Sequence, residues 1–324
     1  MRAVFLDYGS LGPGDIDPGP LHNCVTELLL FDSTTPEQIP ERIAGASIVL
    51  VNKVCLTAVE LESARDLRLI CTAATGTDNI DLDAAGRLGI VVCNIRDYCT
   101  ASVAQHAMSL MLALTRQLVG YRELVANGDW SRSEHFCRLN FPIRELNGKR
   151  LGLVGYGTLG RALAKLAQAL DMEVCAAKRP YRLDDEGSVA GEPLRLGLGR
   201  LLRTADVISL HCPLNDETRG LIGTQALVLM KPDAVLINTA RGALVDSHAL
   251  LDALREGRLG GAGIDVLETE PPPPDHPLTA ARLTNLIVTP HVAWAAHEAR
   301  QRAVQALAEN IEGFLSGRTI NRVA

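Results

Sequence analysis

The stretch KRLGLVGYGTLGRALAKLAQAL, residues 149–170, decides the fold. Its apolar opening, RLGLVG, reads as a short buried strand, and 158–170 repeat apolar residues at helical spacing. Between them stands Gly155-Tyr156-Gly157-Thr158-Leu159-Gly160. Each glycine has its own task. Gly155 permits a tight turn, Gly157 lets a pyrophosphate approach the backbone, and Gly160 lets helix and strand pack closely. The helix start adds N–H groups and the positive end of a dipole. Alone the pattern is weak and could be a structural turn. With a strand before it, a helix after it and another strand at 172–177, it reads as a dinucleotide-binding turn.

Downstream, MEVCAA, DVISLHCP, AVLINTA, GAGIDV and LIVTPHV continue a strand series, with a helical stretch at 246–256 between two of them. Upstream, RAVFLD, SIVLVNK, LRLICTAA and IVVCN form an earlier series, with helix-like stretches at 36–44, 57–65 and 81–88. Strands alternating with helices predict parallel sheets, and two such series predict two domains. The joint is a long amphipathic stretch over 101–127. A last helix, about 295–316, has no strand after it, and its return to the first series would make that domain discontinuous. Residues 128–149 are irregular and aromatic-bearing, long for a connection inside a domain. They read as an interface arm or as a surface loop.

Composition narrows the function. Of 324 residues, 47% are hydrophobic, enough for a sizeable core, and the net charge of −6 disfavours nucleic acid. No span or secretory leader is visible at the N-terminus, and AMSLMLALT is too short to cross a bilayer. The eight cysteines form no C-x-x-C pair and several lie in strand-like runs, which suits reduced thiols in a cytoplasmic protein. The eight histidines show no metal-ligand cluster. We expect no metal, no membrane and no nucleic acid.

About twenty positions after the glycines, an acid often holds the adenosine ribose. Here the strand EVCAA runs into Lys178 and Arg179. Either these are solvated strand-end cations, or they hold a 2′-phosphate through charge-assisted contacts. The nearby Asp184, Asp185 and Glu186 could blunt their field.

Three polar residues follow strands of the second series: Arg241 in LINTARGALVD, Glu270 in GIDVLETEPPPPDHPL and His291 in LIVTPHVAWA. Ligands of open α/β sheets collect at strand carboxyl ends. Separately these are a surface Arg, a loop Glu and a core His. Together they suit carbonyl reduction. Arginine holds a carboxylate and polarises a ketone, histidine delivers a proton, and a glutamate on its other nitrogen fixes the tautomer.

At this point the chain resembles the D-isomer-specific 2-hydroxyacid dehydrogenases. GYGTLGR, DVISLHCPLNDETRGLI, LINTARGALVD, GIDVLETEPPPPDHPL and TPHVAWAAHEARQR occur in that family's order across almost the full length. VNKV, ATGTDNIDL, RDYCTASVAQH and HVAWA are similar to its glycerate dehydrogenase, or hydroxypyruvate reductase, branch. The resemblance implies an α/β fold of two Rossmann-like parallel-sheet domains with a cleft between them. Residues 1–99 and 293–324 would form the discontinuous substrate domain, and 100–292 the dinucleotide-binding domain. It further implies a homodimer and closure on binding.

Carried over by position, Arg241 binds the substrate, His291 is the acid/base and Glu270 its partner. Lys53, the backbone amides near Thr75, Gly76 and Thr77, and Trp294 would meet the substrate. Thr100, Gly155, Gly157, Thr158, Leu159, Gly160, Cys212, Pro213, Thr239 and Ala240 would line the cofactor, and Asp265 would hold the nicotinamide carboxamide. The implied activity is reduction of hydroxypyruvate to D-glycerate and of glyoxylate to glycolate. Where many relatives have an acid this chain has Lys178, followed by Arg179, which favours NADP(H) over NAD(H). The alternatives are a relative acting on another D-2-hydroxy acid and a non-catalytic, dinucleotide-sensing corepressor.

Overall fold

The computed structural model describes residues 1–324, which divide into two compact units: 1–99 with 294–324, and 100–293. The architecture is α/β, with one largely parallel sheet in each unit.

In the first unit the strands β1 (Arg2–Phe5), β2 (Glu27–Leu30), β3 (Ile48–Val51), β4 (Leu69–Thr72) and β5 (Val91–Cys93) pair in the order β2-β1-β3-β4-β5, all parallel. β3 and β4 are wholly buried, which is why IVLV and LICT carry no polar alternation. β2 lies at the edge and is half-covered. Its four residues, ELLL, give too short a pattern to read, and the strand was not expected. Helices α1 (Gly19–Cys24), α2 (Ile39–Ile43), α3 (Ala58–Ser63) and α4 (Leu82–Arg87) connect the strands. Local chemistry starts two of them: Thr57 and Glu60 form a capping box on α3, and Asp81 accepts from the Ala84 amide on α4.

The C-terminal helix, His297–Leu315, belongs to this unit. Ala303, Val304, Leu307, Ala308 and Ile311 pack with Phe5, Leu50, Cys71 and Cys93 in one core. The helix is pinned by polar contacts as well. Buried Asn310 donates to Asn94 O at 2.9 Å, and Arg300 pairs with Asp15.

The second unit opens with α5 (Thr100–Thr115) and α6 (Leu118–Ala126). The expected single stretch over 101–127 is therefore two helices. Gln117 takes a left-handed conformation (φ 56°, ψ 38°), and one such residue ends the α5 hydrogen-bond ladder. Residues 128–149 form no helix or strand. Then come β6 (Arg150–Val154), α7 (Thr158–Gln168), β7 (Glu173–Ala177), β8 (Ser188–Val189), β9 (Leu194–Leu196), α8 (Leu198–Thr204), β10 (Val207–Leu210), α9 (Thr224–Leu229), β11 (Val235–Asn238), α10 (Ser247–Arg255), β12 (Gly261–Ile264), α11 (Pro277–Ala280) and β13 (Leu286–Val288).

The order is β13-β12-β11-β10-β6-β7-β9-β8, parallel except for the short β8 against β9. Six of these eight strands were read from the sequence. β8 and β9 lie in a largely exposed hairpin with little apolar pattern. Strand order reverses between β6 and β10, so the glycine turn after β6 sits at the switch point where open α/β sheets bind ligands. No helix is long and apolar enough to cross a membrane.

Candidate active site

The glycine turn is shaped by close packing. Gly155 has φ 100°, and a Cβ there would lie 2.5 Å from the carbonyl carbon of His211 at the end of β10. A Cβ on Gly160 would lie 2.4 Å from Gly155 O, so α7 starts pressed onto the turn. Gly157 differs. A Cβ there would meet nothing within 4 Å, and Gly157 and Thr158 are exposed. Gly157 is also the residue before α7 and supplies no side-chain cap. An open glycine face over an uncapped helix start, with no acid in the first turn, fits a diphosphate.

Beside the turn, Cys212 is buried, its thiol pushed up to about 11 by burial, so it lines the region as an uncharged group. Pro213 is exposed, and its carbonyl accepts from Thr218 Oγ1 at 2.7 Å. After β11, Thr239 Oγ1 is enclosed with no hydrogen-bond partner, a polar atom that a bound dinucleotide could satisfy. Ala240 follows, half-buried, and Thr100 begins α5.

At the end of β7, Lys178 Nζ lies 3.0 Å from Asp185 Oδ2. Its charge is thus answered within the chain. The Arg179 guanidinium lies 5.7 Å from the centre of the Tyr181 ring. A third cation was missed in the sequence. Arg195, on β9, holds its guanidinium 5.1 Å above the ring of Tyr156, the second residue of the glycine turn. Only recognition of β9 as a strand beside β7 could have placed it there.

The polar strand-end residues of the second unit rise from the neighbouring strands β11, β12 and β13. Nδ1 of His291 lies 2.6 Å from Oε2 of Glu270. The other Glu270 oxygen accepts from the Leu267 amide at 2.8 Å, so the carboxylate is aimed from its own loop. A carboxylate at Nδ1 places the proton on that nitrogen and leaves Nε2 for chemistry. Both side chains are about one-third exposed. Arg241 is half-buried and donates to Ala240 O at 2.8 Å. Its neighbour Gly242 presses so closely on the Glu270 loop that a Cβ would overlap the Leu267 carbonyl. The Arg241 loop and the Glu270 loop therefore share one backbone contact.

Asp265 is buried. Its side chain is fully enclosed. Oδ1 accepts from Thr289 Oγ1 at 2.5 Å and from the Val292 amide, and Oδ2 accepts from the Ala293 amide at 2.9 Å. The carboxylate holds the segment on both sides of His291, which itself sits at φ 55°. These contacts position the histidine. The same contacts put Ala293 in the second unit, one residue past the expected boundary, and its carbonyl accepts from Ser102 at 2.6 Å. Glu268 and His276, also missed, brace the Glu270 loop: Ser247 Oγ donates to Glu268 at 2.6 Å and His276 Nε2 lies 3.3 Å from it.

The other candidate residues belong to the first unit. Lys53 follows β3 and is exposed, and its amide donates to the buried Asp7 carboxylate at 2.6 Å. Thr75, Gly76 and Thr77 form the loop after β4, held by Thr75 Oγ1 to Ile95 O at 2.9 Å and by Asn94 Nδ2 to Thr75 O at 2.8 Å. Trp294 stands 6.5 Å from Tyr98, ring centre to ring centre.

Comparison with known proteins bears on this chemistry. Residues 108–293 match the family model described as D-isomer specific 2-hydroxyacid dehydrogenase, NAD binding domain. The chain is 45% identical to a glycerate dehydrogenase of Methylorubrum extorquens, over 99% of this chain and 98% of the relative. It is 37% identical to a hydroxypyruvate reductase of Blautia hydrogenotrophica, over 100% and 99%. Among solved structures, an acyclic imino acid reductase in complex with NADPH and D-Arg matches over 100% of both chains, with TM-score 0.86 at 29% identity.

Proposed function

This chain belongs to the D-isomer specific 2-hydroxyacid dehydrogenase family, and from that premise we propose that it reduces hydroxypyruvate to D-glycerate, and glyoxylate to glycolate, with NADPH preferred to NADH. The observation that carries the reaction is the 2.6 Å contact between Glu270 and His291 beside the Arg241 loop. Hydroxypyruvate leads as substrate because the 45%-identical relative that matches end to end is named a glycerate dehydrogenase.

A reduced nicotinamide dinucleotide, when bound, supplies the hydride that the carbonyl carbon accepts. The amides of Thr158, Leu159 and Gly160 at the start of α7 would receive its diphosphate. Lys178 and Arg179 would receive a 2′-phosphate, and Thr100, Cys212, Pro213, Thr239 and Ala240 would line the rest.

The remaining work falls to side chains. Arg241 takes the substrate carboxylate and lies against the ketone oxygen, where negative charge grows as the carbon is reduced. Nε2 of His291 delivers a proton to that oxygen, so that one hydride and one proton convert ketone to alcohol. Glu270 holds the ring and balances the charge His291 carries while protonated. In the first unit, Lys53, the amides near Thr75, Gly76 and Thr77, and Trp294 are the proposed substrate contacts. A second copy of the chain is the proposed partner.

The test is kcat/KM for a panel of 2-keto acids with each reduced cofactor. Hydroxypyruvate with NADPH should give the highest value. Failure of every acid to oxidise either cofactor would remove the enzyme reading, and a better acid would rename the substrate.

A further inference from the structure

The cation expected to receive a 2′-phosphate already has an internal partner. Lys178 Nζ lies 3.0 Å from Asp185 Oδ2, and the two side chains are only 30% and 20% exposed. Six residues lie between them, and the turn between β7 and β8 brings them together.

Asp185 is not a swinging surface acid. Its Oδ1 accepts from the Gly187 amide at 2.9 Å. Its own amide donates to Arg182 O at 3.2 Å, and its carbonyl accepts from the Arg200 amide at 3.3 Å. The turn is wedged against neighbours on both sides. A Cβ on Gly197 would lie 2.1 Å from Asp185 O, and one on Gly187 would lie 2.8 Å from Lys178 Nζ. Both ends of the turn are tied to the end of β9 as well, by Lys178 N to Leu196 O at 2.8 Å and Gly197 N to Gly187 O at 2.7 Å. The Gly187 amide and the Lys178 ammonium hold the Asp185 carboxyl below the usual carboxylate range. It is therefore ionised at neutral pH. The adjacent Glu186 is taken by Arg203.

We propose that Asp185 sets how far this enzyme prefers a 2′-phosphorylated dinucleotide. The inference rests on the reading that Lys178 and Arg179 receive the 2′-phosphate. A phosphate dianion must either draw the ammonium away from Asp185 or sit beside a fixed carboxylate, and both reduce its gain. An unphosphorylated ribose meets neither cost. Arg179 lies against the Tyr181 ring, with the Glu217 carboxylate also in its field.

Calorimetric Kd values for NADP+ and NAD+, measured on the full-length protein and on Asp185→Asn, Asp185→Glu and Lys178→Ala, test this. Asp185→Asn should tighten NADP+ by about three- to tenfold and leave NAD+ within about twofold. Asp185→Glu, which keeps the charge, should stay near the parent ratio. Lys178→Ala should weaken NADP+ selectively. If Lys178→Ala is selective but Asp185→Asn leaves the ratio unchanged, the role of Asp185 is refuted and the 2′-phosphate reading stands. If Asp185→Asn weakens both dinucleotides alike, Asp185 merely supports the turn, and the proposal fails. If Lys178→Ala weakens both alike, the 2′-phosphate reading fails and takes the inference with it.

Discussion

Glu270 and His291 stand at the ends of neighbouring strands, with Oε2 2.6 Å from Nδ1. The second carboxylate oxygen is held by the Leu267 amide, and the histidine backbone by Asp265 O at 2.8 Å. The carboxylate cannot turn without breaking its contact to the Leu267 amide, and the ring cannot turn without leaving that carboxylate, so Nε2 is presented in one direction.

Removing the charge of Glu270 while keeping its shape should therefore harm turnover more than binding. Glu270→Gln is expected to lower kcat by about ten- to a hundredfold with little change in KM, and His291→Ala by about a hundredfold or more. Steady-state kinetics decide it. A rise in KM at unchanged kcat would place Glu270 in substrate binding.

The glycine turn separates folding from binding within three residues. Gly155→Ala combines a positive φ with a collision at His211 and should cost about 2 kcal/mol or more of stability. Gly157→Ala points a methyl into open space and should leave Tm unchanged while weakening dinucleotide binding. Thermal melts paired with calorimetry check both. Equal melting temperatures for the two variants would contradict the packing argument.

Acid stability should report on His211. Burial pushes its imidazole down to about 4, from an ordinary value of 6.5. The unfolded chain takes up that proton first, so stability is fully present above pH 6.5 and falls as pH drops toward 4. The loss is about 3 kcal/mol at most. Urea unfolding between pH 7 and 4 measures it, and His211→Gln should flatten that limb. An unchanged slope in the variant would assign the loss to other groups.

The irregular segment 128–149 exposes apolar side chains: Phe136 is 89% and Leu139 80% exposed, with Trp130 and Ile143 nearby. A surface of this kind suits association. Sedimentation should give twice the 34.8 kDa chain mass, and Phe136→Asp with Leu139→Asp should give the single chain. A monomeric parent protein would dismiss the homodimer.

Much of the site was legible because its signals are local. The turn at 155–160 joins a strand to a helix within one short window, Arg241 and His291 stand just past apolar strands, and Glu270 stands on the loop after another. What stayed hidden depends on neighbours distant in sequence or on conformation without an apolar pattern. β2 is a four-residue edge strand, and the helix break is a single left-handed Gln117. That the Asp265 carboxylate holds Thr289, Val292 and Ala293 was hidden because no local pattern shows which distant groups will enclose it.

By itself, the sequence determined the α/β class, the glycine turn and which residue types stand at the strand ends, because side-chain period and glycine's backbone freedom act over a few residues. Only the tertiary structure decided what those residues touch. It joined Glu270 to His291 across adjacent strands, set Arg195 above Tyr156, and folded a turn back so that Asp185 meets Lys178. Contacts of that kind follow from strand order and loop packing, which place charges side by side whatever their distance along the chain.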